Sequence, residues 1–274
     1  MFAPVATHPR QRCSQSGSYH KPRSGGFSLI DLLVSLAIIA LLMSITLPML
    51  SQAREAARRL QCASHQRSMA IAINGYANDF SNRLPPSVFV SRYNRPQNLT
   101  TIRIGDDSEF RPFRGQNGYD GIGILYGSGY LQPPPSYYFC PSFIGDNTFD
   151  ANRHNLTSAS TEQYDRVTSN YIYRGRGPGG AILLTQFPSS LALISDTFHD
   201  SSLFNHEGGL NVLAAGGQVV WLADATQSIR RRASETAAAT ANPDDADGLF
   251  TSSIWPLLDK GLDTQDSSGD AGSN

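Results

Sequence analysis

Gly25-Gly26-Phe27-Ser28-Leu29-Ile30-Asp31-Leu32 opens an apolar run that continues to Leu50, with Asp31 as its only charge. An ionised carboxylate inside bilayer hydrocarbon is costly unless it finds a partner, so an acid at this place points to function. Residues 32–50 are 19 uncharged positions. As helix they would extend roughly 29 Å at ~1.5 Å per residue, which matches the ~30 Å hydrocarbon core. The run is long enough for a single span. An ordinary secretory signal has an apolar region of ~7–15 residues ending at a small-x-small site, and this run meets neither condition.

These residues resemble the N-terminal signal of type IV prepilins and type II secretion pseudopilins. Gly26, Phe27, Ser28, Leu29, Ile30, Asp31, Leu32, Leu33 and Val34 all fall in register, and Pro48 stands 22 residues into the mature chain. The family usually has Glu where this chain has Asp31, one methylene shorter with the same charge. The resemblance implies cleavage after Gly26 by a prepilin peptidase and N-methylation of Phe27. The α-amine of Phe27 would then pair with Asp31 during assembly with other pilin-like subunits. Residues 1–26 would be the leader. They carry Arg10, Arg12, Lys21 and Arg23 and no acid, so this flank stays cytoplasmic and the chain beyond the span is exported. The expected location is the inner membrane, in contact with its lipid, with an exported head that would sit in an envelope or surface filament.

Beyond the span the pattern stays helical and turns amphipathic. Ala53, Ala56, Ala57, Leu60, Ala63, Ala70, Ile71, Ile73 and Ala77 alternate with Arg54, Glu55, Arg58, Arg59, Gln61, Gln66 and Arg67, so one stripe can face a head domain. Pro48 should kink this helix without ending it. The organisation read from the chain is a leader (1–26), a long helix (27–80; membrane half 27–50, amphipathic half 51–80), a head (81–243) and a C-terminal segment (244–274). About 190 residues suffice for one domain with its own core. The Ser, Gly and Asp composition from about residue 264 reads as a disordered end. Trp255, Leu257 and Leu258 would anchor the segment before it, and Ala233–Ala241 suits a short helix.

The chain is formally −1, with 22 basic and 23 acidic residues. Loss of the leader leaves 18 basic residues against 23 acidic ones, or −5. A mildly acidic exported domain argues against nucleic acid as a partner, because phosphate binding needs a concentrated basic patch. Arg230-Arg231-Arg232 is too short for one. Cys13 lies in the leader. Cys62 and Cys140 remain for an oxidising compartment, where they either close a disulfide or stay as two buried thiols.

In the head, Val88–Val90, Tyr171–Tyr173, Ala181–Thr185, Leu191–Ile194 and Asn211–Leu222 read as strands between Gly, Pro and Asn clusters. The last holds Gly216-Gly217 between two β-prone runs and suggests a hairpin with a type I′ turn. His206-Glu207-Gly208-Gly209, with Gly216-Gly217 ten residues after the His, resembles the C-terminal motif of a prepilin-like family of unknown function in which His is followed at that spacing by Asp-Gly. Cys62, Cys140-Pro141-Ser142, Tyr171 and Asp196 also fall where that family places them. Gly216 stands where the motif has Asp.

No catalytic constellation emerges, and an enzyme is not expected. His206-Glu207 lacks the second His of a zincin helix, and Gly175–Gly180 lacks the Lys-Ser/Thr end of a phosphate loop. No cofactor is expected beyond a calcium ion, for which Asp196, Asp200 and Glu207 supply hard oxygens. Asp146, Thr148 and Asp150, or Asp245 and Asp247, would be further sets, and solvated acidic loops are the alternative for each. The sequence therefore predicts an α+β pilin-like protein, a long N-terminal helix packed on a mostly antiparallel sheet. It predicts a pseudopilin-like structural subunit, with a membrane-anchored module binding a surface polymer or metal ion as the alternative.

Overall fold

The computed structural model describes residues 28–89, 99–105, 118–132, 135–157, 166–197, 204–239 and 253–269, with only the backbone for 236–239 and 265–269. Gly26, Phe27, Val90, Asp200 and residues 240–252 lie outside them. The chain divides into two units, residues 1–50 and 51–274.

Helix α1 runs Leu29–Asp79 and contains Pro48, which does not end it. Within residues 29–50 the large apolar side chains are exposed, Leu29 at 85% and Leu47 at 64%. The helix is long and apolar enough there to cross a membrane. Its start is closed locally: the Ser28 hydroxyl accepts from the Ile30 amide at 3.3 Å, and the Ser28 amide donates to Asp31 Oδ2 at 3.2 Å. This reciprocal pairing satisfies donors that a helix N-terminus otherwise leaves open.

From residue 51 onward the helix buries Cys62, Gln66, Met69, Ile73 and Tyr76. Their spacing alternates four and three, one stripe of a helix. Leu60 and Ile71, expected on that stripe, are 64% and 75% exposed. They fall between the buried positions, where the helix turns outward.

The stripe lies on a four-stranded antiparallel sheet of order β3 (Tyr171–Tyr173), β4 (Ala192–Asp196), β5 (Gly209–Ala214) and β6 (Val219–Ala223). A smaller pair joins β1 (Thr101–Arg103) to β2 (Val167–Thr168). Alternation along the strands feeds two cores. Tyr171, Tyr173 and Leu213 pack in one with Cys62, Met69 and Ile73 of α1. Ile172, Leu210, Val212 and Ala214 pack in the other, with Ile229 and Ala233 of α4 (Ser228–Ala239) and Trp255, Leu258 and Leu262 of α5 (Trp255–Gly269). A register irregularity between Ala192 and Ile194 puts Leu193 and Ile194 in the α1 core, whereas Ala192 joins the other. A bulge re-aims the strand beyond it.

Two further helices are α2 (Gly123–Gly127) and α3 (Phe149–Thr157). Asp224 receives the amides of Ile229 and Arg230 at 3.0 and 2.9 Å, closing the start of α4. α5 is tied to the sheet by Asp259, which pairs with buried Arg174 at 2.8 Å and accepts from the Ala192 amide at 2.8 Å.

Several expectations need correction. Val88 and Phe89 are helical, not strand. Ala181–Thr185 makes one bridge, Leu183 with Arg83, and then a 3-10 turn at Leu184–Gln186. Residues 264–269 continue α5 where a disordered end was read. The β5–β6 hairpin forms, but only Gly217 has positive φ, at 90°. The Gly217 amide donates to the Ala214 carbonyl at 2.9 Å. The connection is thus a longer loop ending in one left-handed glycine, not a two-residue type I′ turn.

Candidate functional site

The sequence motif around His206 builds a buried polar junction between α1 and the sheet. Gly208 has φ of 80°, a backbone state that suits glycine. A Cβ on Gly209 would come within 2.3 Å of the Leu222 carbonyl and 2.7 Å of the Trp221 ring. The two glycines thus let the chain turn and lie flush on β6. That places His206, only 2% exposed, beneath α1.

His206 Nδ1 lies 2.7 Å from Glu55 Oε1 on α1. An ionised carboxylate can only accept, so Nδ1 carries the proton and donates. Glu55 also accepts from the Ser142 hydroxyl, at 2.9 and 3.1 Å to its two oxygens. The other ring nitrogen, Nε2, stands 3.5 Å from Cys140 Sγ and 3.6 Å from Asp196 Oδ2. Trp221 meets the imidazole edge to face, with centroids 5.8 Å apart, and Arg59 lies over the Trp221 ring at 4.3 Å.

Asp196, at the end of β4, is fully buried. Its Oδ2 accepts from the Asn211 amide at 2.6 Å and from Asn211 Nδ2 at 3.1 Å; its Oδ1 accepts from Gln66 Nε2 at 3.0 Å. Burial pushes its carboxyl up to about 6, against the opposing pull of His206, Asn211 and Asn205. Gln66 reaches on to the Asn211 carbonyl at 3.1 Å. One helix side chain therefore bridges two strands.

Cys62 and Cys140 are joined by a disulfide, with Cα atoms 5.5 Å apart across 78 residues of sequence. In the chain-entropy view a closed loop of that length stabilises by about 4.5 kcal/mol, against about 2–4 kcal/mol for a typical disulfide. The bond sits against His206 and staples α1 to the loop after Tyr138. The Cys140 amide donates to Asn170 Oδ1 at 3.0 Å, which holds that loop against β3.

Of the acidic set Asp196, Asp200 and Glu207, two residues are among those described. Asp196 is consumed by the amides above, Glu207 is exposed, and Asp200 lies outside the described residues. Among the described residues, the group of His, Cys, Asp and Glu ligand atoms lying within 4.8 Å of one another is Cys62, Cys140 and His206. Of the second acidic set, Thr148 accepts from the Ala151 amide at 3.3 Å and Asp150 pairs with Arg153 at 3.3 Å, both at the start of α3. Asp245 and Asp247 are outside the described residues. At Gly216, a Cβ would come within 2.6 Å of Gln218 Oε1 and meet the Ser189 side chain and carbonyl at 3.0 and 3.1 Å. The motif's Asp would have to displace the Gln218 side chain and crowd Ser189.

Glu55 and Gln66 were missed by sequence reasoning as site residues. The signal was present, because both lie on the spacing of the buried stripe, seven residues before and four after Cys62. A polar residue on a buried stripe implies a partner. Beside the junction an open groove of about 530 Å³ is lined by Glu55, Arg58, Arg59, Phe204, Glu207 and Trp221, among others.

Comparison with known proteins finds two segments. Residues 21–47 match the prokaryotic N-terminal methylation motif. Residues 51–116 match a family described as a protein of unknown function (DUF1559). No curated protein matches, and no solved structure does. The motif at 21–47 and the apolar helix it enters support a processed, membrane-anchored, pilin-like protein with an exported head.

Proposed function

We propose that this chain is a pseudopilin-like structural subunit, cut after Gly26 by a prepilin peptidase in the inner membrane and incorporated with other pilin-like subunits into an envelope filament. The observation that carries the reading is α1. The methylation motif at residues 21–47 leads into the exposed apolar part of α1, residues 29–50, whose single charge is Asp31.

Asp31 is the docking residue in this reading. Its carboxylate turns back to the Ser28 amide, one residue from Phe27, whose α-amine would be freed by cleavage. An unperturbed α-amine titrates near ~8 and is a cation at neutral pH. Pairing it with a carboxylate of a neighbouring subunit would neutralise two desolvated charges together. Ser28 can keep the helix start closed through its hydroxyl while Asp31 exchanges partners.

Comparison of purified membranes with sheared surface fractions tests this. Asp31→Ala should be cleaved normally, remain in the membrane and be lost from the sheared fraction, whereas Asp31→Glu should enter it. If the alanine variant enters as well as wild type, the docking role is wrong. The groove beside Trp221 would then favour the second reading, a membrane-anchored binding module.

A further inference from the structure

We propose that Cys62, Cys140 and His206 form a zinc-type site when their disulfide is reduced, so that the junction between α1 and the sheet can be closed either by a covalent bond or by a metal ion. Three observations converge. The ligand atoms of these three residues already lie within 4.8 Å of one another, and all three residues are buried. In a tetrahedral site with Zn–S of about 2.3 Å and Zn–N of about 2.0–2.1 Å, sulfur and nitrogen stand roughly 3.5 Å apart. Cys140 Sγ and His206 Nε2 are separated by 3.5 Å.

The second observation is the outer partner of the histidine. A metal-binding imidazole usually donates its other N–H to a carboxylate, which fixes the tautomer and aims the lone pair. Glu55 does this at Nδ1, at 2.7 Å, and is itself oriented by Ser142. The lone pair of Nε2 is thereby directed at the sulfur side.

The third is charge and polarity around the fourth position. Asp196 Oδ2, 3.6 Å from Nε2, puts a carboxylate beside the fourth position, and because it already accepts from Asn211 it would hold a bound water there rather than ligate. The amide oxygens of Gln66 and Asn205 are buried without a hydrogen-bond partner among the described residues. Two thiolates and an imidazole select a soft or borderline ion such as Zn²⁺ over calcium.

The chemistry balances with a dithiol as reductant. The dithiol gives two electrons and two protons to the Cys62–Cys140 bond and becomes a disulfide, leaving two thiols. The ion then displaces both thiol protons and binds two thiolates. The sulfurs need only part to roughly 3.8 Å, the S···S edge of such a tetrahedron.

Untagged full chain in detergent, carrying Cys13→Ser, is the material for the test. Oxidised and dithiol-reduced samples are titrated with Co²⁺, read by thiolate-to-cobalt absorption, and then with Zn²⁺ against a chromophoric chelator. The oxidised protein should give no thiolate band, and the reduced protein one equivalent of tetrahedral Co²⁺ displaced by Zn²⁺. His206→Ala should weaken binding at least about tenfold, Glu55→Gln should weaken it about 10-fold to 100-fold, and Cys62→Ser should remove the two-thiolate band. Circular dichroism identifies any reduced variant that unfolds. If reduction alone unfolds the head, Zn²⁺ should restore its protease resistance. Reduced protein that takes up no Co²⁺, or that binds equally well after His206→Ala, overturns the proposal.

Discussion

His206 and Glu55, 151 residues apart in sequence, meet at 2.7 Å through Nδ1 and Oε1. That bond joins the C-terminal motif to the long helix and explains why a histidine trailed by glycines belongs at this place. The glycines let the loop lie on β6, and the histidine then reaches a carboxylate on α1, a disulfide and a buried aspartate at once.

Removing the histidine should therefore be costly. His206→Ala leaves Asp196 buried without its imidazole neighbour and deprives Glu55 of a donor, so the head should lose about 3 kcal/mol of stability. Glu55→Gln should cost less, about 1 kcal/mol, because the Glu55 side chain is 37% exposed and keeps Ser142. Urea unfolding followed by Trp fluorescence compares them. Equal small losses would show that the junction is not a structural centre.

The two motif glycines should respond differently to alanine. At Gly208 nothing approaches a Cβ, so Gly208→Ala meets only the strain of positive φ, about 1 kcal/mol. At Gly209 a Cβ strikes the Leu222 carbonyl, so Gly209→Ala must part β5 from β6 and should cost several-fold more. Thermal unfolding of the two variants orders them, and a reversed order would contradict the packing.

Asp120 supplies a pH signature away from the junction. It accepts from the Ser87 hydroxyl at 2.6 Å and the Val88 amide at 2.9 Å, yet burial pushes its carboxyl up to about 6. An unfolded Asp titrates near ~3.9, so between about 4 and 6 the folded chain holds a proton that the unfolded chain has lost. Stability from this group therefore falls as pH rises through that window and is level above it. Asp120→Asn removes the titration. Wild type should gain about 2–3 kcal/mol relative to this variant between pH 7 and pH 4, measured by urea unfolding at each pH. A constant difference would show that Asp120 is solvated.

The helix was legible because its two halves carry two different signals. An uncharged run to Leu50 is read by hydropathy, and the stripe through Cys62, Met69, Ile73 and Tyr76 by period. Leu60 and Ile71 misled because apolar character was counted without regard to that period. The β5–β6 hairpin was legible from Gly216-Gly217, although only Gly217 needed the left-handed state. Ala181–Thr185 failed for a physical reason. Apolar β-prone residues become strand only beside a free sheet edge, and Leu183 finds just one bridge. At the site, His206, Asp196 and both cysteines could be singled out from the motif. Their meeting with Glu55 and Gln66 could not, because contacts 130 to 151 residues apart are set by how α1 lies on the sheet.

Processing at Gly26 is the central claim, and the mass of the mature N-terminus tests it most directly. Protein isolated from membranes, digested and sequenced by mass spectrometry should begin at Phe27 and carry one added methyl group on its α-amine. Gly26→Val, which puts a branched side chain at the cut, should leave residues 1–26 attached. A wild-type chain that keeps its leader, or that begins at any residue other than Phe27, would contradict the account.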